Sequence, residues 1–323
     1  MNFSTTIKNE ILSATPDGVC CRLAFLSAFV RTSGSLKMKG RKIGFEVTTE
    51  LPAAADYAMR FVKKTFGVDA KVLEQSEDKL NHRSKTVFEC VNDKTTDILS
   101  ELGIVDKGES GLELVRGISP YLVENDCCRR AYVAGAFLGG GSCTLPLLKA
   151  EGARIGTGYH LEFTFGVYDA ASDFAELLSL YDIFPKLIVR KDSYVVYLKS
   201  NESIGDALAL MGANQAALTL ADLVVHKDVS NNLNRKVNCE MGNLSKQIDA
   251  SVRQTEAIGL IRDLVGLETL PEELEALARE RLLSPNLTLS GLAEKLGESK
   301  SCINHRMRKL MEIASNLNGG EEK

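Results

Sequence analysis

Three stretches of the 323-residue chain hold residues whose types and spacing can do chemistry. The first is AYVAGAFLGGGSC, Ala131 to Cys143, an apolar run closed by three glycines. A phosphate-cradling loop would need G-x-G-x-x-G after a strand and before a helix, or G-x-x-x-x-G-K-[ST]. Here the glycines follow a helical pattern and precede a strand pattern, so the run predicts a packed helix ending in a tight turn. The second candidate is thiol chemistry. The eight cysteines and four histidines include no C-x-x-C, and two vicinal pairs stand out, Cys20–Cys21 and Cys127–Cys128. Neighbouring cysteines rarely bridge each other because the disulfide strains the backbone. The cysteines therefore read as small apolar packing residues in a reducing compartment, with no metal and no cofactor expected.

The third candidate lies near the C-terminus, in NLTLSGLAEKLGESKSCINHRMRKLMEIA. Thr288 can cap a short helix over 289–296, Gly297 can close it in the left-handed conformation, and Ser299 can cap the next helix. Leu292, Ala293 and Leu296 would pack against Ile303, Met307 and Leu310, which recur at helical spacing. The outward face then carries Ser299, Lys300, Ser301, Asn304, His305, Arg306, Arg308 and Lys309. Cations and hydroxyls at the start of such a helix suit phosphates. Asn304 can read adenine and Arg308 guanine by paired hydrogen bonds in the major groove.

These candidates need elements to position them, and the chain supplies a duplication. CCRLAFLSAFVRTSGS, from Cys20, answers CCRRAYVAGAFLGGGS, from Cys127, and later segments correspond as well, Asp56-Tyr57-Ala58 with Asp173-Phe174-Ala175. A unit of roughly a hundred residues is repeated. Its pattern is helix, two strands, helix, two strands, helix, with the first copy's helices expected over 22–33, 52–66 and 93–103. In the second copy the first hairpin has a longer connection, KAEGARIGTG. Ala131, Ala134, Gly135 and Gly139, with Ala24, Ser27 and Ala28 in the first copy, put small residues on successive turns. Two helices packed backbone to backbone across a pseudo-twofold axis are expected. Arg22 and Arg129 fall at the starts of these helices.

Between the copies and the C-terminal motif, NLNRKVNCEMGNLSKQIDASVRQTEAIGLI reads as a polar hinge followed by an amphipathic helix with Leu244, Ile248, Val252, Thr255 and Ile258 on one face. Asn234, Arg235, Asn238, Asn243 and Lys246 can hold phosphates or can equally cap a helix and fix a linker. In the first copy, Lys37, Lys39 and Arg41 alternate with apolar residues and share one face of a strand. They suit DNA, but also an ordinary solvated face or a guarded edge strand. The corresponding strand of the second copy, SCTLPLLK, carries Pro146 and few charges, so the second copy would instead contribute Lys186, Arg190 and Lys191. A net charge of −4 confines any nucleic-acid footprint to such local patches. No apolar run approaches the roughly 18 residues that cross a bilayer. With no signal-peptide pattern at its start, the chain is expected to be cytoplasmic.

The duplicated unit resembles the LAGLIDADG homing endonucleases, whose motif helices meet between two lobes and carry a metal-binding carboxylate before the final glycine. The motifs fall on LSAFVRTSG and VAGAFLGGG, which puts Ser33 and Gly140 at the acid positions. Neither can hold a hard cation as a carboxylate does, so cleavage is not expected, although an active metal-dependent endonuclease is the rival reading. The whole chain is similar to the bacterial WhiA family. AYVAGAFLGGGS, NRKVNCEMGNLSKQIDASVRQ and SKSCINHRMRKL look like that family's three signature regions. The resemblance implies a non-enzymatic, sequence-specific DNA-binding regulator tied to sporulation, or to cell division and chromosome segregation.

The fold class is accordingly α+β, a duplicated αββαββα LAGLIDADG-like domain followed by an all-α helix-turn-helix domain. The expected divisions are an N-terminal segment 1–19, a first repeat 20–106, a linker 107–126, a second repeat with a connecting helix 127–226, and a DNA-binding domain 227–318. Double-stranded DNA is the expected partner, with RNA polymerase or another transcription regulator as a second, and the nucleoid as the location. A structural adaptor that binds a protein partner is the other alternative.

Overall fold

A computed structural model describes residues 2–14, 18–78, 83–108, 111–146 and 158–318. Most of the KAEGARIGTG connection lies outside these residues. The chain divides into two compact units, residues 1–226 and 227–323.

The first unit opens with α1 (Phe3–Ala14), which lies within the expected N-terminal segment 1–19. The first repeat follows as α2 (Val19–Ser33), β1 (Gly34–Lys39), β2 (Lys42–Thr49), α3 (Pro52–Phe66), β3 (Lys71–Asp78), β4 (Arg83–Cys90) and α4 (Thr95–Glu101). The hairpin β5 (Val105–Gly108) and β6 (Gly111–Leu114) intervenes. The second repeat runs α5 (Asp126–Gly140), β7 (Gly141–Thr144), β8 (His160–Phe165), α6 (Tyr168–Ser179), β9 (Lys186–Arg190), β10 (Ser193–Leu198) and α7 (Asn201–Leu210). Both four-stranded antiparallel sheets have the same order, β1-β2-β4-β3 and β7-β8-β10-β9, as a duplication requires. This is the expected α+β class with two LAGLIDADG-like domains.

Alternation places the sheets on the core. In β8, Leu161, Phe163 and Phe165 are buried while His160, Glu162 and Thr164 face outward. The buried rings of Phe163 and Phe165 lie against Phe174 of α6, with ring centroids 4.7 and 5.0 Å apart. Helices α2 and α5 pack on each other along their length, and the small residues there are buried: Ala24, Ser27, Ala28, Ala131 and Ala134. A Cβ on Gly135 would run into the Phe25 carbonyl, one on Gly139 into the Thr32 hydroxyl. One on Gly140 would lie 2.6 Å from the Thr164 carbonyl oxygen. Backbone-to-backbone packing thus explains the glycines.

The repeat-start arginines are structural. Arg22 is buried and its Nε donates to Thr65 Oγ1 (2.9 Å), while Arg129 donates to the Val123 and Glu124 carbonyls at 2.8 and 2.7 Å. The segment joining the repeats is held from both lobes. Arg31 donates to the carbonyls of Gly103 and Val115, and Asp173 accepts from the Ile118 N–H at 2.7 Å.

The second unit contains most of α8 (Asn214–Leu264), then α9 (Glu272–Leu283), α10 (Leu289–Leu296) and α11 (Lys300–Asn318). Its core joins Ile258 and Ile261 to Leu277, Leu292, Ile303, Met307 and Leu310. The expected polar hinge does not occur: the backbone stays helical through 231–243. The segment is rich in asparagine but has no proline, and Leu233, Val237, Met241 and Leu244 continue an apolar register at helical spacing. Of the apolar face expected to pack, only Ile258 is fully buried; Leu244, Ile248 and Val252 stay about half exposed.

Candidate nucleic-acid interface

The C-terminal motif is set by local chemistry. Thr288 Oγ1 accepts from the Gly291 N–H at 3.0 Å and caps α10. Gly297, at φ +66°, ends that helix in the left-handed region. Ser299 Oγ then accepts from the Cys302 N–H at 3.2 Å and caps α11. The turn between the two helices is therefore fixed at both ends. Leu292 and Ala293 pack on Ile303 and Met307, which orients α11 with one side inward.

With 3.6 residues per turn, the side away from Ile303, Met307 and Leu310 carries Ser301, Asn304, His305, Arg308 and Lys309. All are exposed except Asn304, which is half-buried. Lys300 is exposed beside them at the helix start. The helix holds Lys300, Arg306, Arg308 and Lys309 against one carboxylate, Glu312. Arg306 differs from the other residues expected at this surface. Its side chain is only 14 % exposed and bridges Glu273 (2.9 Å) and Glu298 (3.1 Å), which ties α11 to α9 and to the turn. Sequence spacing groups it with the residues expected to meet DNA because 306 adjoins them in number, whereas helical rotation turns it toward α9.

The secondary cationic sites are arranged differently. Lys37 is ion-paired with Glu46, and Lys39 lies 3.5 Å from Glu89, both partners on the same sheet face. Arg41 is exposed in the β1–β2 turn. In the second sheet, Arg190 reaches Glu162 at 3.3 Å, and Lys186 and Lys191 are exposed. Asn234, Arg235, Asn238, Asn243 and Lys246 are all exposed on α8, spread around it rather than gathered at a helix entry; Asn243 Nδ2 lies 3.7 Å from Cys239 Sγ.

Glu162 is the focus of the second sheet's outer face. Burial alone would raise its pKa, but the hydrogen bond with His160 Nε2 (3.0 Å), the Arg190 charge and the Ser142 hydroxyl (3.2 Å) outweigh that and hold it low. A lowered folded pKa means the contribution is complete above the unfolded carboxylate value of about 4.3 and lost as pH falls through the folded value. Glu162→Gln is expected to flatten the acid limb of the first unit's stability profile and to cost about 1–2 kcal/mol at neutral pH. Thermal melts from pH 7 to pH 3 check both. Identical acid limbs would refute the assignment.

At the helix tips, Ser33 Oγ donates to the Phe29 carbonyl at 2.6 Å, and Gly140 contributes only backbone. Neither supplies an anionic oxygen to a hard cation. The opposite ends of the same helices hold what the sequence reading missed. Cys20, Cys21, Cys127 and Cys128 converge, with all four Sγ atoms within 4.8 Å of one another. Burial pushes Cys128 up to about 12 and also raises Cys21, while the hydrogen bond with Cys128 lowers Cys20. Cys90 and Cys143, by contrast, are the buried packing thiols that the composition led one to expect. The signal for the cluster was present in the duplication: each repeat carries one vicinal pair at the start of a helix expected to meet its twin.

Comparison with known proteins agrees with this architecture. The chain matches the WhiA N-terminal LAGLIDADG-like domain over residues 19–105, the WhiA LAGLIDADG-like domain over 129–230, and the WhiA C-terminal HTH domain over 233–314. It is 38 % identical over 330 aligned residues to a probable cell division protein WhiA of Alkaliphilus oremlandii, covering 100 % of both chains. It is 37 % identical to one of Macrococcus caseolyticus, covering 99 % and 98 %. The crystal structure of full-length DUF199/WhiA from Thermotoga maritima shares the fold, with a TM-score of 0.57 at 24 % identity over 98 % of this chain and 99 % of that one. With three family domains in order and relatives matched from end to end, the chain belongs to the WhiA family.

Proposed function

We propose that this protein is a sequence-specific, non-catalytic DNA-binding regulator that acts on transcription and thereby on cell division and chromosome segregation, or on sporulation. The observation that carries the reading is the outward face of α11, where Ser301, Asn304, His305, Arg308 and Lys309 stand on a helix fixed by hydroxyl caps and a packed inner side. Lys300 and the Ser299 cap meet phosphate, Asn304 and Arg308 read base edges, and Arg306 holds the helix in place through Glu273 and Glu298. The names of the WhiA relatives support the link to cell division. Action is by occupancy, alone or with RNA polymerase, and the protein works at the nucleoid.

Affinity resides in the C-terminal unit. The carboxylates that engage Lys37, Lys39 and Arg190 reduce the cationic field of both sheets, which favours a protein-facing role for the duplicated unit. The test is fluorescence anisotropy with a duplex selected from random sequence by the protein itself, beside an unselected duplex. Arg308→Ala is expected to lose about 1–3 kcal/mol, roughly 5- to 150-fold, on the selected duplex and to relax preference at one base position. Lys37→Ala/Lys39→Ala is expected to leave affinity within about twofold, since paired surface cations contribute little. Unchanged affinity and preference in Arg308→Ala would refute the recognition-helix assignment. Linearised or nicked supercoiled plasmid after incubation with Mg²⁺ or Mn²⁺ would refute the non-catalytic one.

A further inference from the structure

We propose that Cys20, Cys21, Cys127 and Cys128 form a tetrathiolate site for one thiophilic divalent metal ion of the zinc type, which ties the two repeats together at the N-terminal ends of α2 and α5. A zinc ion bound by four sulfurs at about 2.3 Å in a tetrahedron sets the sulfurs about 3.8 Å apart. Here the Cys20 and Cys21 Sγ atoms are 4.0 Å apart, those of Cys127 and Cys128 are 3.9 Å apart, and no pair among the four exceeds 4.8 Å. Closing onto an ion thus requires side-chain adjustments of well under an ångström.

The donor set fits a soft ion. Four sulfurs in tetrahedral array select zinc or iron over the oxygen-seeking cations, and a site with all four positions filled by protein is structural rather than catalytic. Each pair lies in the first turn of its helix, so two helix N-termini point their positive ends at the thiolates and offset the net charge of −2 on the loaded site. Cys21 and Cys128 are buried while Cys20 and Cys127 are exposed, which gives the ion both a dry seat and an entry path. Binding forms four metal–sulfur bonds and releases the thiol protons to solvent, with no redox step. The reach across the interface follows from the close approach that Gly135 and Gly139 permit further along the same helices. This site does not depend on the DNA-binding reading.

The experiment uses the full-length protein purified under reducing conditions without chelator. The expected results are about one equivalent of zinc per chain by elemental analysis and, after exchange with Co²⁺, the intense visible bands of tetrahedral cobalt with thiolate charge transfer. Cys20→Ser/Cys127→Ser, which changes only the exposed pair, should lower metal affinity at least tenfold in competition with a chromophoric chelator. Cys239→Ser, in α8, should retain full loading. Zinc should raise the melting temperature of the wild type and not of the double variant. Cobalt and zinc titration of the wild type does not depend on the variant's folding. Reduced wild-type protein with four titratable thiols and no tetrahedral cobalt spectrum would overturn the site, as would unchanged loading in the folded double variant. A disulfide between the two pairs that persists in anaerobically handled protein would also overturn it.

Discussion

Replacing Gly135 by alanine is expected to destabilise the first unit by about 2 kcal/mol, and by leucine about 4 kcal/mol or more. Helix propensity argues the other way, since alanine in place of an interior glycine gains about 0.8–1 kcal/mol. The sign is decided by what the new Cβ meets, the carbonyl of Phe25 on the facing helix, which is backbone and cannot rotate away. Helices α2 and α5 would have to part, loosening contacts along the whole interface. Gly242 supplies the contrast because it is helical with open space around its Cβ position. Gly242→Ala is therefore expected to stabilise α8 by about 0.8–1 kcal/mol. Urea denaturation followed by circular dichroism reads both. A Gly135→Ala protein as stable as the wild type would mean that the lobes are not packed backbone to backbone.

Arg281→Met should destabilise the C-terminal unit by about 3–4 kcal/mol while leaving the first unit's transition in place. The Arg281 side chain is 2 % exposed, and burial pushes its pKa down. Its guanidinium holds Gln254 Oε1 (Nε at 2.9 Å) and the carbonyls of Pro285 and Leu287, so it ties α8 to the loop that leads into α10. Methionine fills similar volume but takes the donor from the half-buried Gln254 and Leu287 oxygens, while the Pro285 carbonyl keeps the Ser251 hydroxyl; each acceptor so stranded costs about 1–3 kcal/mol. On the proposed function, duplex affinity should fall with the folded fraction of this unit. Arg279→Met, two residues away, removes only an exposed i,i+4 pair with Glu275 and should change stability by less than about 0.5 kcal/mol. Equal effects from the two substitutions would show that the buried guanidinium does not organise the unit.

Much of this protein is determined locally. The duplication, the αββαββα order of each copy and the helix–turn–helix caps at Thr288, Gly297 and Ser299 were legible because each rests on periodicity or on hydrogen bonds within a few residues. The degenerate tips were legible for the same reason: Ser33 and Gly140 carry no carboxylate whatever surrounds them. The supposed hinge at 231–243 failed because polarity is a weaker determinant of backbone than an unbroken apolar register without proline.

The tertiary structure decided which side chains meet. Arg306 is turned from the outward face of α11 by its pairing with Glu273, and Lys37 and Lys39 are claimed by Glu46 on β2 and Glu89 on β4. Two cysteine pairs a hundred or so residues apart become one cluster only when α2 and α5 dock. Spacing along a chain encodes ligands that share a loop. It is silent about ligands that share an interface, because their distance is set by packing between helices rather than by the bonds that join them.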